Sequence, residues 1–167
     1  TKLLSQFESE GYVIVPNLIS DSGCDQLLDA LPSMRGSGTR NLLDVDAYKR
    51  TVDALRSHLH LKFLLNGLVA IQSILFFKAQ SHNWSLQMHA DSVFPVKGEG
   101  PWSSAGKKEG VPYVHVPREV VARFVSVRIS LDCVDDGDLK LEPGSHLSSS
   151  ISIRESVNVA IPRGGAL

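Results

Sequence analysis

Hydrophobic positions along this chain follow a helical period first and a strand period afterwards. Leu3, Leu4 and Phe7 recur at helical spacing, and Gly11 stands where a C′ glycine would end that helix. Tyr12-Val13-Ile14-Val15 predicts a short strand that Pro16-Asn17 stops. Asp21 or Ser22 is the expected cap of a second helix running through Leu27, Leu28 and Leu31 to Pro32. Gly36 to Asn41 reads as a flexible loop, and Val45 to Leu65 as one or two helices with Val52, Leu55 and Leu59 on one face. From Leu68 the period changes. Val69 to Lys78 predicts a long strand with Gln72 and Lys78 as polar interruptions, and a second strand leads into His89. Pro95 to Gly110, dense in Gly, Pro and Ser, has no period and reads as a long loop, a lid over a site. Tyr113 to Val116 is a short strand, and Pro117 stands at the first position of a helix. Phe124 to Asp132, Leu139 to Leu141 and Val157 to Ile161 alternate as strands do. The pattern predicts a mainly β chain with flanking helices, built as a sandwich or jelly roll.

Composition narrows the function classes. A length of 167 residues fits one domain spanning 1–167, with 1–66 as a largely helical buttress and 67–167 as the β core. Hydrophobic residues make up 43% and charged residues 21%, an ordinary globular balance. The formal net charge of −1 provides no footprint for nucleic acid or an anionic membrane. No apolar run approaches the ~20 residues that span a bilayer, and the polar amphipathic opening does not resemble a signal peptide. Cys24 and Cys133 lie far apart and form no metal-type pair, so a reduced, cytoplasmic setting is expected.

The chemistry concentrates in the stretch from Asn83 to Val93. On a strand, positions i and i+2 face the same way, so His89 and Asp91 would project side by side. One imidazole nitrogen and one carboxylate oxygen supply two ligands of a 2-His-1-carboxylate triad, which holds Fe(II) on one face and leaves positions open. The competing reading is a packed histidine beside an aspartate that ends its strand.

The order of motifs adds to this. Leu75-Phe76-Phe77-Lys78 is followed by Asn83-Trp84, His89-Ala90-Asp91 and Lys108-Glu109-Gly110-Val111-Pro112-Tyr113-Val114. Then come Val127-Arg128-Ile129-Ser130-Leu131-Asp132, Leu141-Glu142-Pro143-Gly144-Ser145-His146 and Pro162-Arg163-Gly164-Gly165-Ala166-Leu167. With Gly11-Tyr12-Val13-Ile14-Val15-Pro16-Asn17 and Arg40-Asn41-Leu42-Leu43-Asp44, the set covers nearly the whole chain and resembles the bacterial branch of the phytanoyl-CoA dioxygenase family. The resemblance implies a double-stranded β-helix of the cupin-like jelly-roll kind. It implies Fe(II) and 2-oxoglutarate as cofactors, O2 as cosubstrate and hydroxylation of a small-molecule substrate. It makes His89 and Asp91 metal ligands and puts the third histidine ligand, and the arginine that binds 2-oxoglutarate, beyond Leu167. By that pattern the chain lacks the family's C-terminal strands and is inactive by itself. A carboxylate at Asp91 favours hydroxylation over halogenation, which would need a small residue there. Ala90 departs from the glutamine common in relatives, which removes one outer hydrogen bond.

Gln72 and Lys78 are candidate contacts for 2-oxoglutarate, set against an edge-facing Gln and a snorkelling Lys. Arg40 and Trp102, both in loops, are substrate-side candidates, set against ordinary exposed residues. Arg128, between Val127 and Ile129, needs a partner if it is buried. His146, the last histidine in the chain and so a conceivable substitute for the third ligand, reads better as a turn histidine bonding local backbone, and His115 as strand filling. Two other functions remain open: a non-catalytic module of the same fold with an incomplete triad, and a cupin-type metal isomerase.

Overall fold

The computed structural model describes residues 2–32, 37–78, 84–98, 100–132, 139–148 and 155–167. Gly36, Asn83 and Cys133, singled out above, lie outside the described residues. Helices and small antiparallel sheets are both present, and the described residues form no closed barrel. Among the described residues, no helix is long and apolar enough to cross a membrane. The chain divides into two compact units.

Unit 1 comprises Thr1–Ala30, Arg56–Asn66 and Val125–Leu167. Helix α1 spans Lys2–Glu10, and the Gly11 N–H closes it by donating to the Phe7 carbonyl at 2.9 Å. Helix α2 spans Asp21–Asp29, and its cap is Ser20, whose hydroxyl accepts from the Gly23 N–H at 3.2 Å. The expected cap thus moves by one or two residues: Ser20 is the residue with extended backbone, where a side-chain oxygen can turn back to the first turn. The last residues of the chain pair on two sides. Val15 and Ala166 exchange two backbone hydrogen bonds of 2.8 Å, and Arg128 and Leu167 exchange two of 2.9 Å. Among the described residues, the alternating run from Phe124 to Asp132 pairs only over Arg128–Ser130, where that segment lies alongside it. Around this pairing, Val13, Val15, Cys24, Leu27, Leu61, Leu65, Val159, Ile161 and Ala166 are buried. Leu59, expected on an apolar helical face, falls between helices and is 64% exposed. A small two-stranded sheet joins Leu139–Leu141 to Val157–Val159 in antiparallel register.

Unit 2 comprises Leu31–Leu55 and Gly67–Phe124. Strand β1 (Gly38–Thr39), placed in the segment expected to be a loop, pairs antiparallel with β2 (Leu75–Phe76). Most of the predicted long strand does not form a ladder: Ser73 bridges Asn41, and Val69 is 71% exposed. An apolar run becomes a strand only where a partner's backbone meets it, and here the partner is short. A three-stranded sheet has the order β3–β5–β4, with β3 at Val93–Pro95, β4 at Ser104–Lys108 and β5 at Val111–His115. The predicted lid is therefore half hairpin. Glu109 (φ +50) and Gly110 (φ +81) make a two-residue turn in which both residues are left-handed, the geometry that matches strand twist. Leu42, Tyr48, Leu55, Tyr113 and Val114 form the buried core, and burial pushes the Tyr48 phenol up to about 12. The Phe94 and Phe124 rings pack 4.2 Å apart beside β3.

Candidate metal centre

His89 and Asp91 lie immediately before β3, in a segment with no ladder of its own, so the expected strand begins at Val93 rather than before His89. The Val116 N–H donates to the Ser92 carbonyl at 3.0 Å, which fastens the residue after Asp91 to the end of β5. Even without a ladder, the two side chains converge: His89 Nε2 lies 3.6 Å from Asp91 Oδ1. They are 50% and 70% exposed, open to solvent on one side of the sheet end.

The other ring nitrogen sets what faces the carboxylate. His89 Nδ1 lies 2.8 Å from the Gln87 carbonyl, which can only accept, so Nδ1 carries the proton. In the neutral ring, Nε2 then presents its lone pair towards Asp91. A proton on Nε2, or a metal cation between the two atoms, turns this approach into an attraction. A ring held through its remote N–H by a backbone carbonyl is also how metal-bound histidines are oriented. The spacing can be tested against a divalent ion. At bonds of about 2.1 Å, tetrahedral ligands stand about 3.4 Å apart and adjacent octahedral ligands about 3.0 Å apart. Closing the observed gap to the octahedral value takes about 0.6 Å, within the reach of one rotamer adjustment of an exposed carboxylate. The donor pair fits a first-row divalent ion. Among the described residues, no third His, Cys, Asp or Glu joins it.

The other predicted residues are spread along unit 2. The Gln72 carboxamide is hydrogen-bonded to the hydroxyl of buried Tyr113, so part of its polar capacity is committed inside the unit. The Lys78 ammonium stands 5.4 Å from the centre of the Trp84 ring, whose indole N–H donates to the Phe77 carbonyl at 3.0 Å. Trp102 is 39% exposed, just ahead of β4. Arg40 is engaged with Glu109 at the tip of the β4–β5 hairpin. The register puts His89 and Asp91 past the His115 end of β5 and Glu109 before the Val111 end, on the order of 20 Å apart at the strand rise. Arg40 is thus not beside the metal pair. His115 is exposed rather than strand filling.

In unit 1, the His146 Nε2–H donates to the Glu8 carbonyl at 3.0 Å, and the ring lies where a Cβ on Gly11 would stand. It bonds backbone, as expected, but the backbone of α1 rather than that of its own turn. Glu109 and Tyr113 were not singled out from sequence as individual contributors. The Glu109-Gly110 pair ahead of Val111 was the available turn signal. No family model, curated protein or solved structure matches this chain.

Proposed function

We propose that the chain belongs to an Fe(II)- and 2-oxoglutarate-dependent dioxygenase of the double-stranded β-helix kind, which hydroxylates a small molecule. The observation that carries this reading is the convergence of His89 Nε2 and Asp91 Oδ1 at 3.6 Å, with Nδ1 committed to the Gln87 carbonyl. The ordered motifs from Leu75 to Leu167 support it. In this reading His89 binds the metal through Nε2, and its ring plane is held by Gln87. Asp91 supplies the anionic ligand, offsets the metal's charge and fills the position that a halide would need. The metal, with 2-oxoglutarate, supplies O2 activation and C–H hydroxylation. The reading also calls for a second histidine ligand and an arginine fork for the distal carboxylate of 2-oxoglutarate.

The test is a Mn(II) titration of this chain and of the full product of its gene, read by paramagnetic broadening at His89, with succinate release from 2-oxoglutarate measured in parallel. Broadening centred on His89 and Asp91, lost in His89→Ala and Asp91→Asn, is the expected result. Binding is expected to be weak in this chain, and tight with 2-oxoglutarate turnover in the full product. Tight binding without turnover in the full product would favour the non-catalytic module. Broadening that ignores both substitutions would end the metal reading.

A further inference from the structure

At the end of β5 remote from His89, three donors from two consecutive residues converge on one carboxylate. The Thr39 hydroxyl donates to Glu109 Oε2 at 3.0 Å, and the Arg40 backbone N–H donates to the same oxygen at 2.9 Å. The Arg40 guanidinium flanks the other oxygen, with Nη1 3.6 Å from Oε1. A hydroxyl, a backbone N–H and a guanidinium around one carboxylate are the donor set with which proteins hold carboxylate ligands. The donors are preorganised: Thr39 is paired in β1 with Leu75, and Asn41 is bridged to Ser73. Glu109 is the less constrained partner. It stands at a φ of +50, where a residue with a side chain is disfavoured and glycine would be at ease. The turn is closed by the pairing of Lys108 with Val111, in which the Glu109 carboxylate takes no part, and the Lys108 ammonium lies 4.9 Å from the Tyr113 ring centre. The Arg40 and Glu109 side chains are each 34% exposed, so a carboxylate in solution can reach the same donors.

We propose that Thr39 and Arg40 form a carboxylate-binding site that Glu109 fills in cis, and that a ligand carboxylate displaces it. The site is separate from the metal pair and does not depend on the iron reading. An internal occupant lowers apparent affinity by the fraction of time it leaves the site free, so removing it should tighten binding without any new contact.

The experiment uses succinate as the probe, at constant ionic strength, with the amide resonances of Thr39 and Arg40 followed by NMR in the chain and in Glu109→Gly. Glycine suits the left-handed turn position, so the hairpin should keep its pattern of amide shifts from Ser104 to His115. The variant is expected to bind succinate at least tenfold more tightly than the unsubstituted chain. The uncharged diamide of succinate should not bind, and Arg40→Ala added to Glu109→Gly should abolish binding. Glu109→Gln, which keeps the side-chain length but loses the charge, should fall between the two. Equal succinate affinity with and without Glu109, or binding that survives Arg40→Ala, would overturn the proposal and leave the contact as a structural clasp.

Discussion

Gly164 and Gly67 offer a matched pair of substitutions in which only the surroundings differ. Their φ angles are +70° and +72°, so alanine meets the same left-handed strain at both, about 1–2 kcal/mol. At Gly67 a Cβ would meet nothing within 4 Å. At Gly164 it would stand 2.0 Å from the Ile19 carbonyl oxygen and 3.1 Å from its carbon. Both obstacles are backbone, so no side chain can swing aside. Relief requires the segment after Arg163 to move away by more than 1 Å, roughly the shortfall from ordinary van der Waals contact. That shift strains the Ile19 N–H to Gly164 carbonyl bond of 2.8 Å and the two Val15–Ala166 bonds beyond it. At about 1 kcal/mol for each lost hydrogen bond, Gly164→Ala should cost about 3 kcal/mol more than Gly67→Ala. The assay is urea unfolding by far-UV circular dichroism, with amide exchange at Val15 and Ala166 as the local readout. Both amides should lose protection in Gly164→Ala and keep it in Gly67→Ala. If the two variants differ by less than about 1 kcal/mol, or the Ala166 amide stays protected, the close approach is not tight and the reasoning fails.

Two further outcomes follow from other parts of the chain. Cys24 is fully buried, and burial pushes its thiol upward against the opposing pull of Arg163, so iodoacetamide should leave its peptide unmodified until unit 1 opens. Labelling in the folded protein at the rate of a free thiol would contradict this, and Gly164→Ala should accelerate it. The Arg40 N–H, followed by the Thr39 hydroxyl and the Arg40 charge, holds the Glu109 carboxyl below its ordinary value of 4.5. Because its folded pKa is depressed, its stabilisation is complete above the unfolded value and disappears as pH falls through the folded one. The Arg40 amide shift should therefore titrate below pH 4.5 in the unsubstituted chain and stay flat in Glu109→Gly; a midpoint above 4.5 would refute the contact.

What was legible in the sequence was local. The helices α1, α2 and α3 (Asp46–Ser57) come from 3.6-residue periodicity with punctuating Gly and Pro, whereas His89 and Asp91 approach each other without the strand that their spacing implied. Strand pairing is not local. Val69 to Lys78 carries a strand's composition, but only the residues that meet Ser37–Asn41 are paired. The opposite error occurred between Pro95 and Gly110. There the density of Gly, Pro and Ser concealed a hairpin whose two-residue turn was visible once Val111-Pro112-Tyr113-Val114 was read as its second strand. The contact between Arg40 and Glu109 spans 69 residues, so no window on the chain would bring the two together.

The positions of these features suggest a division of labour along β5. Its central residues, Tyr113 and Val114, are buried and carry the packing of unit 2. Its two ends carry polar chemistry, and each end uses backbone groups to orient a side chain. At the His115 end, the Gln87 carbonyl accepts from the ring of His89, whose other nitrogen lies 3.6 Å from the Asp91 carboxylate. At the Val111 end, the Arg40 N–H fixes a carboxylate, which leaves the guanidinium a charge to match. On the readings proposed above, one end would take a cation between His89 and Asp91, and the other an anion among the three donors that now hold Glu109. A metal ion and a carboxylate ligand would not compete for the same groups. With the two places on the order of 20 Å apart and no shared partner among the described residues, each should be substitutable without the other responding. Loss of metal on removing Glu109, or loss of succinate binding on removing His89, would require a coupled conformational change that neither end's geometry calls for.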